Sequence, residues 1–346
     1  MELSSLLEIL NLSYKNGLFF YGDLSSNTTD FLSIRTKETL KYSLKPSAFF
    51  CINSVPLILF FETQTNLVEL QRQIWNFNQS PAIFMNTSKG WVIKNGFNLL
   101  DNKNELEEIA DSNNLTDFEY FNIITGKTWV DYKLKFEQRN RVDFYLLSNI
   151  EDVRYYLINS GHLHPKIVNS LIGRVIFIRY LIDRNVELNV YGITQKEDFY
   201  NILNDKDKTY SFFQQVKDDF NGNLFPLNYK IDDEEIIEKE KVFSHHLIKI
   251  KELLQGGKIY SDGTYQPSLF DIYDFSIIPI EFVSNVYEKF IGIENQAGNG
   301  AYYTPLFLVD YIQKETVLKF FKENPNEYNC KVLDPACGSG VFLVEM

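Results

Sequence analysis

The sequence has few of the residues that build metal centres and disulfide frameworks. It contains three cysteines and four histidines in 346 residues. The cysteines are odd in number and lack ligand spacing, so neither a zinc site nor a disulfide framework is predicted. No cysteine or carboxylate is spaced to complete a metal site with the histidines, so we expect each of them to be a surface or core residue. These residues are Cys51, Cys330, Cys337, His162, His164, His245 and His246.

Long apolar runs are also absent. Runs such as "VPLILFF" (55–61) are far too short to cross a bilayer. The N-terminal "MELSSLLEIL" has no basic region followed by an apolar core, which a secretory signal peptide would require. We therefore expect a cytoplasmic protein with no membrane partner.

Basic residues are outnumbered, and the formal net charge is −12. A protein that grips nucleic acid over a large surface usually has a basic face, so the charge argues against such a surface. Part of the acidic surplus lies in "DDEEIIEKE" (232–240), which we interpret as the solvated face of a helix. Arg139 and Arg141 in "EQRNRVD" could still form a local basic patch.

What is present is the composition of a folded chain, with 45% apolar and 15% aromatic residues. The pattern predicts a mixed α/β domain over 1–148, a helical connector over 149–296 and the start of a further domain over 297–346. In the first domain, "PSAFFCI" and "VPLILFFE" indicate strands and 66–78 a helix with one apolar face. A second strand pair turns around Ser88–Gly90.

The connector contains a helix over 169–186 with apolar residues around most of its circumference, so it is expected to be buried. Asn-Gly and Pro break the pattern in "DDFNGNLFPLNY", and helical periodicity returns in "EEIIEKEKVFSHHLIKIKELL". Another helix is predicted over 278–293, starting after Pro279.

The last region carries the chemistry. A Gly-rich loop, "GAYYTP" (300–305), precedes a helix, "LFLVDYIQKETVLKFF", and a short apolar strand, "KVL", then runs into the turn "PACGSG". A strand, Gly-rich turn and helix can hold a cofactor on the backbone, and Asp334 could bind a cationic group such as an α-amino group. The "GSG" pattern alone fits a ligand-free turn between a strand and a helix as well as it fits a cofactor site. The turn lacks the Lys-Ser/Thr of a P-loop and the full G-x-G-x-x-G of dinucleotide sites.

"LDPACGSGVFLVE" resembles the first motif of amino-group DNA methyltransferases that use S-adenosylmethionine. "GAYYTP", about 30 residues upstream, resembles the preceding motif of adenine-N6 methyltransferases fused to restriction enzymes. "RVIFIRYLIDRN", "VKDDFNGNLFP" and the region 70–97 resemble the earlier segments of the Eco57I-like, type IIG restriction–modification group. The resemblance implies that 297–346 begins a Rossmann-like methyltransferase domain and that the protein acts on double-stranded DNA in defence against foreign DNA.

The resemblance also implies roles for single residues. Asp334 would hold the amino group of S-adenosylmethionine. Tyr303, Thr304 and Pro305 would border its carboxylate. For Tyr302, a place beside the cofactor and simple packing within the loop are equally open. The backbone surface along the cofactor would come from Ala336, Gly338 and Gly340.

The catalytic motif of that family, Asn/Asp-Pro-Pro-Tyr/Phe, does not occur in the 346 residues. "NPNEY" (324–328) has another pattern and is predicted to be a loop. No catalytic residue is therefore assigned in this chain, and we expect it alone neither to transfer a methyl group nor to bind the cofactor tightly. The alternative is a non-catalytic, DNA-contacting or scaffolding subunit of a split restriction–modification or defence system, completed by a second chain.

A further alternative is a magnesium-dependent nuclease. Such enzymes hold Mg²⁺ with an Asp and a Glu-x-Lys on adjacent strands, and the lysine assists the attacking water. Glu62 ends a predicted strand but is followed by Thr-Gln, and Asp131 and Lys133 form "DYK" further on. The other reading of 1–148 is a degenerate, structural or DNA-contacting domain.

Overall fold

The computed structural model describes residues 1–63, 66–100, 103–219, 226–268, 271–278 and 306–335, together with residues 282, 286 and 342. The chain divides into two compact units. One contains 1–141 and 299–346, and the other contains 142–298.

A six-stranded sheet forms the centre of the first unit, with the strands in sequence order from β1 to β6. Every neighbouring pair is antiparallel except β3 and β4, which are parallel. A parallel pair needs a crossover, and the predicted helix supplies it as α3, Leu67–Phe77. The strands are β1 (Leu18–Phe20), β2 (Ala48–Ile52), β3 (Val55–Phe61), β4 (Ala82–Thr87), β5 (Gly90–Leu100) and β6 (Glu105–Asp111). The predictions for β2 to β5 are confirmed, while β1 and β6 were not predicted.

Short helices flank the sheet. Their bounds are α1 Leu3–Ile9, α2 Ile34–Glu38 with a π-helical continuation over Thr39–Leu44, α4 Tyr120–Ile124 and α5 Lys127–Asp131. Aromatic side chains fill the core between these layers. The ring centroids of Phe60 and Phe84 are 4.9 Å apart, and Phe118 meets Phe84 edge to face at 5.7 Å. Burial of these rings, together with the aliphatic residues packed around them, stabilises the unit.

A buried glutamine side chain accepts a backbone hydrogen bond where the pairing of β5 with β6 is irregular. The register of this pair shifts between Lys94 and Leu99, so the regular ladder of backbone hydrogen bonds is interrupted there. The side-chain oxygen of Gln71 in α3 accepts a hydrogen bond from the Leu106 amide at 3.0 Å. This bond satisfies a backbone group that would otherwise be buried without a partner.

The second unit consists mainly of helices and two small hairpins. The predicted buried helix is α7, Pro165–Asp183, and its residues Leu171, Ile172, Val175 and Ile176 are almost inaccessible. The other elements are α6 (Val142–Asn159), α8 (Lys196–Leu203), α9 (Lys206–Asp219), α10 (Glu238–Lys241), α11 (Ser244–Leu254), β7 (Asn228–Ile231), β8 (Glu234–Ile237), β9 (Lys258–Ile259) and β10 (Tyr265–Gln266). The helix predicted over 278–293 lies largely outside the described residues.

The prediction of a solvated helix over 232–240 holds only in part. Residues 232–237 form no helix, whereas 238–240 lie in α10, and all nine residues except Ile236 and Glu238 are exposed. β7 and β8 form an antiparallel hairpin, and the two residues of its turn, Asp232 and Asp233, have positive φ angles of 51° and 66°. Aspartate tolerates this conformation, and a two-residue turn of this kind matches the twist of a hairpin. The apolar residues alternate only in β7, as Tyr229 and Ile231, and the pattern of two to three residues is too short to distinguish a strand from a helix.

Glu238, directly after this hairpin, is fully buried rather than solvated. Its carboxylate pairs with the guanidinium of Arg174 in α7 through two hydrogen bonds, of 2.8 and 3.2 Å. The hydroxyls of Tyr210 and Tyr229 donate to the two carboxylate oxygens at 2.9 and 2.7 Å. Burial acts to lower the pKa of Arg174, but the adjacent carboxylate outweighs burial and raises that pKa. The cluster thus joins α7, α9 and the hairpin.

Two of the histidines accept hydrogen bonds from backbone amides at the starts of helices. His246 is buried, and its Nδ1 accepts a hydrogen bond from the Phe243 amide at 3.1 Å at the start of α11. His164 does the same for the Lys166 amide at the start of α7, at 3.2 Å. Among the described residues, no group of three or more His, Cys, Asp and Glu side chains could hold a metal ion.

Replacing Glu238 by glutamine is expected to destabilise the second unit strongly. The substitution leaves the Arg174 cation buried without its counter-charge, which typically costs about 3–5 kcal/mol of unfolding free energy. Chemical denaturation of Glu238→Gln, compared with the exposed control Glu240→Gln, measures the effect. Equal midpoints for the two variants would contradict the structural role of the pair.

The stability of the protein is expected to fall with acidification through His246. Burial, followed by the neighbouring His245, lowers the pKa of His246 from 6.5 to about 4. Because the folded state disfavours the protonated form, this contribution is complete above pH 6.5 and is lost as the pH falls towards 4. His246→Gln keeps a side-chain acceptor for the Phe243 amide but does not titrate.

Denaturation curves between these pH values are expected to show a smaller loss of unfolding free energy for His246→Gln than for the unaltered protein. The exposed His162, whose positive φ angle of 54° asparagine tolerates, provides the control, His162→Asn, which is expected to follow the unaltered protein. Parallel curves for all three proteins would show that His246 does not couple folding to pH.

Candidate cofactor-binding site

The candidate site is built on the helix that follows the "GAYYTP" loop. This helix runs as Leu306–Gln313, continues as a π-helical segment over Lys314–Leu318 and ends with Lys319–Glu323. The helix prediction is confirmed. Its predicted apolar face is only partly covered, because Leu308 and Tyr311 are 39% and 61% exposed.

The strand predicted for "KVL" before the Gly-rich turn does not form. Residues 330–334 have no regular secondary structure, and the side chain of Leu333 is 86% exposed. A strand is stabilised by backbone hydrogen bonds to a neighbour, and residues 330–334 are paired with none of the strands in the described parts of the chain. The Rossmann-like sheet expected from the resemblance is therefore not confirmed. The loop predicted over 324–328 is confirmed.

A cavity of about 520 Å³ lies between this helix and the irregular segment. Its volume is in the range of small-molecule sites. The side-chain amide of Gln313 donates to the Phe342 carbonyl at 2.7 Å, which ties the helix to the segment after the Gly-rich turn. The cavity is lined by Ile312, Gln313, Thr316, Val317, Phe320, Cys330, Lys331, Val332, Leu333, Asp334, Pro335 and Phe342.

Asp334 stands in the wall of this cavity, where the sequence predicted a cation-binding carboxylate. Its Oδ2 atom is buried. A carboxylate in a wall made largely of aliphatic and aromatic side chains attracts a positive group more strongly than one in bulk water. These features fit the ammonium end of an amino-acid-like ligand, while the apolar lining fits its uncharged part.

The other predicted cofactor-binding residues are not described by the structure. Tyr303, Thr304 and Pro305 lie outside the described residues, as do Ala336, Gly338 and Gly340. Their roles stay predictions. Gln313 and Phe342 were missed, although the single amide in an apolar stretch of the helix, "LFLVDYIQ", is a signal that could have identified Gln313.

The residues proposed for a nuclease are not arranged as that mechanism requires. Glu62 follows β3 and is exposed, and its backbone amide donates to the Ser47 hydroxyl oxygen at 3.1 Å. The residue presented by the neighbouring strand end is thus a serine rather than an acid. Asp131 is the last residue of helix α5 and Lys133 follows in a turn, so this pair does not lie on a strand, where the nuclease mechanism would need it.

Comparisons with known proteins agree with the motif. Residues 279–346 match the family model for N-6 DNA methylase. The chain is 27% identical over 242 residues to the type II restriction enzyme and methyltransferase RM.Eco57I of Escherichia coli, a match that covers 60% of this chain and 21% of that protein. The Eco57I-like resemblance is confirmed.

A second relative is the putative type II restriction enzyme and methyltransferase RM.MjaORFECS2P of Methanocaldococcus jannaschii. It is 25% identical over 241 residues, covering 50% of this chain and 20% of the relative. The chain therefore spans about a fifth of the length of each of these two relatives. No solved structure matches the chain. No helix within the described ranges is long and apolar enough to cross a membrane.

The unaltered chain is expected to leave supercoiled plasmid DNA intact in the presence of Mg²⁺. Glu62 has no second acidic side chain placed beside it on β2, so a catalytic ion would lack its ligands. Gel electrophoresis after prolonged incubation measures cleavage, with a known restriction enzyme as the positive control. Nicking that is abolished by Glu62→Gln but not by Glu69→Gln would establish a nuclease instead.

Proposed function

We propose that the complete protein is an adenine-specific DNA methyltransferase of a type IIG, Eco57I-like restriction–modification system. The observation that carries this proposal is the Asp334 carboxylate in the wall of the 520 Å³ cavity. Asp334 belongs to "LDPACGSG", within the segment that matches the N-6 DNA methylase model. The substrate would be double-stranded DNA, and the setting would be defence against foreign DNA.

S-adenosylmethionine supplies the methyl group in this chemistry. In this chain, Asp334 would hold the ammonium group of the cofactor, and the backbone of Ala336, Gly338 and Gly340 would lie along it. Tyr303, Thr304 and Pro305 would border its carboxylate. Ile312, Val317 and Phe320 form an apolar wall that would exclude water from the cofactor.

The residues that act on the adenine would come from outside this sequence. An adenine-N6 methyltransferase must extrude the target base and hold its amino group, which is the role of the Pro-Pro motif. That motif does not occur in the 346 residues. We place it in the continuation of the reading frame or in a second chain, and we propose that the chain alone is inactive.

Expression of the complete native locus tests the proposal, because it includes any continuation and any second chain. The purified protein is incubated with S-adenosylmethionine and DNA from a methylation-free host, and the nucleosides are analysed by mass spectrometry. We expect N6-methyladenine. Asp334→Asn is expected to raise the calorimetric Kd for S-adenosylmethionine by about 10-fold or more, because a hydrogen bond to a charged group is lost.

The exposed acidic residue of the preceding loop gives a matched control, Glu327→Gln, which is expected to leave both measurements unchanged. Absence of N6-methyladenine with the complete protein would overturn the methyltransferase proposal and favour the non-catalytic subunit. An unchanged Kd for Asp334→Asn would instead remove Asp334 from the cofactor site.

A further inference from the structure

One short segment of this acidic protein is basic. Between residues 34 and 45 there are four basic side chains and one acidic side chain, whereas the whole chain has 34 basic and 46 acidic residues. The basic residues of the segment are Arg35, Lys37, Lys41 and Lys45. The local excess of positive charge therefore opposes the charge of the molecule as a whole.

The segment is a well-formed surface helix. The Ser33 hydroxyl caps α2 by accepting a hydrogen bond from the Thr36 amide at 3.2 Å, and helical structure continues to Leu44. Tyr42 on its outer face is 64% exposed, and the Lys41 ammonium lies 5.4 Å from the centre of the Tyr42 ring. Lys41 and Lys45 make no ion pair with the residues that the structure describes.

Arg141, from the basic patch expected at Arg139 and Arg141, and Thr36 of α2 both bond to residues that follow α3. Arg141 donates from Nε to the Asn78 side chain at 3.1 Å, directly after α3. Thr36 of α2 shares a hydrogen bond of 3.3 Å with the side chain of Gln79, the next residue. Arg141 and Thr36, which belong to two basic segments about a hundred residues apart in the sequence, thus bond to adjacent residues after α3.

We call Lys41, Tyr42, Lys45, Arg139 and Arg141 the basic surface. Arg139 is 80% exposed on its side chain and pairs with Glu137 at 2.5 Å. Exposed ion pairs of this kind contribute little free energy, so a stronger anion can replace the carboxylate. The acidic neighbours Asp30 and Glu38 lie towards the start of the helix, where Lys37 pairs with Asp30 at 2.7 Å.

We propose that the basic surface binds the phosphate backbone of duplex DNA and does not read base sequence. Lysine and arginine supply the charge that releases counterions from a duplex, and an exposed tyrosine hydroxyl can donate to a phosphate oxygen. The net charge of −12 disfavours contact elsewhere, so this surface would also fix which side of the unit faces the DNA. The inference rests on the proposed function, which makes duplex DNA the substrate.

The test uses the unaltered 346-residue chain without cofactor. Fluorescence anisotropy measures its Kd for a labelled duplex of arbitrary sequence, about 30 base pairs long, between about 50 and 200 mM salt. The triple variant Lys41→Glu, Lys45→Glu, Arg139→Glu is compared with a control of equal net charge. The control carries Lys89→Glu, Lys208→Glu and Lys322→Glu, three exposed positions on separate elements.

Loss of three phosphate contacts is expected to reduce the slope of log Kd against log salt concentration by about 3. At the lowest salt concentration, we expect the triple variant to bind at least about 10-fold more weakly than the control. Thermal unfolding within about 2 °C of the unaltered chain confirms that both variants are folded, since a surface change has little effect on stability.

Absence of duplex binding by the unaltered chain, or equal losses in the two variants, would overturn the proposal. Tighter binding to a single-stranded RNA of equal length, or to vesicles with anionic lipids, would also overturn it. The cofactor-site variant Asp334→Asn separates the two proposals, because it is expected to keep its affinity for the duplex. Methylation by the complete protein with unchanged duplex binding in the triple variant would reject the basic surface alone.

Discussion

A buried ion pair between Arg174 and Glu238 joins three elements of the helical unit. Arg174 lies in the middle of the buried helix α7, and its charge is tolerated there because Glu238 and a backbone carbonyl accept hydrogen bonds from it. The two tyrosine hydroxyls that donate to Glu238 complete the hydrogen bonding of the carboxylate. The hairpin and α9 are therefore held against α7 by directional bonds, in addition to the non-directional packing of aliphatic side chains.

The spacing of apolar residues predicts the longer helices and strands. β2, β3, α3 and α7 are long enough and apolar enough for their sequence pattern to identify them. β1 has three residues, too few to show an alternation. The burial of Glu238 could not be predicted, because its partner is 64 residues away and the neighbouring sequence is charged. Burial of an ionisable group depends on its partner rather than on its neighbours in the chain.

In the candidate site, too, the sequence predicts one part and misses another. The position of Asp334 beside a ligand-sized space follows from a short motif, and the structure places it in the wall of a cavity. The strand that was expected to carry Asp334 depends on hydrogen bonds to other strands, which the motif does not contain. The opposite wall comes from a helix whose residues Thr316 and Phe320 have no motif of their own.

The single parallel pairing in the sheet has a consequence for the order of folding. β1 to β3 form one antiparallel meander and β4 to β6 form another. In each meander, the strands that are consecutive in the sequence pair with each other. The pairing of β3 with β4 requires the intervening α3 to be in place. Local contacts form faster than distant ones, so each meander can assemble separately. The formation of α3 is then required before the two meanders can pair. Substitutions in α3 would therefore slow the pairing of β3 with β4 more than the formation of either meander.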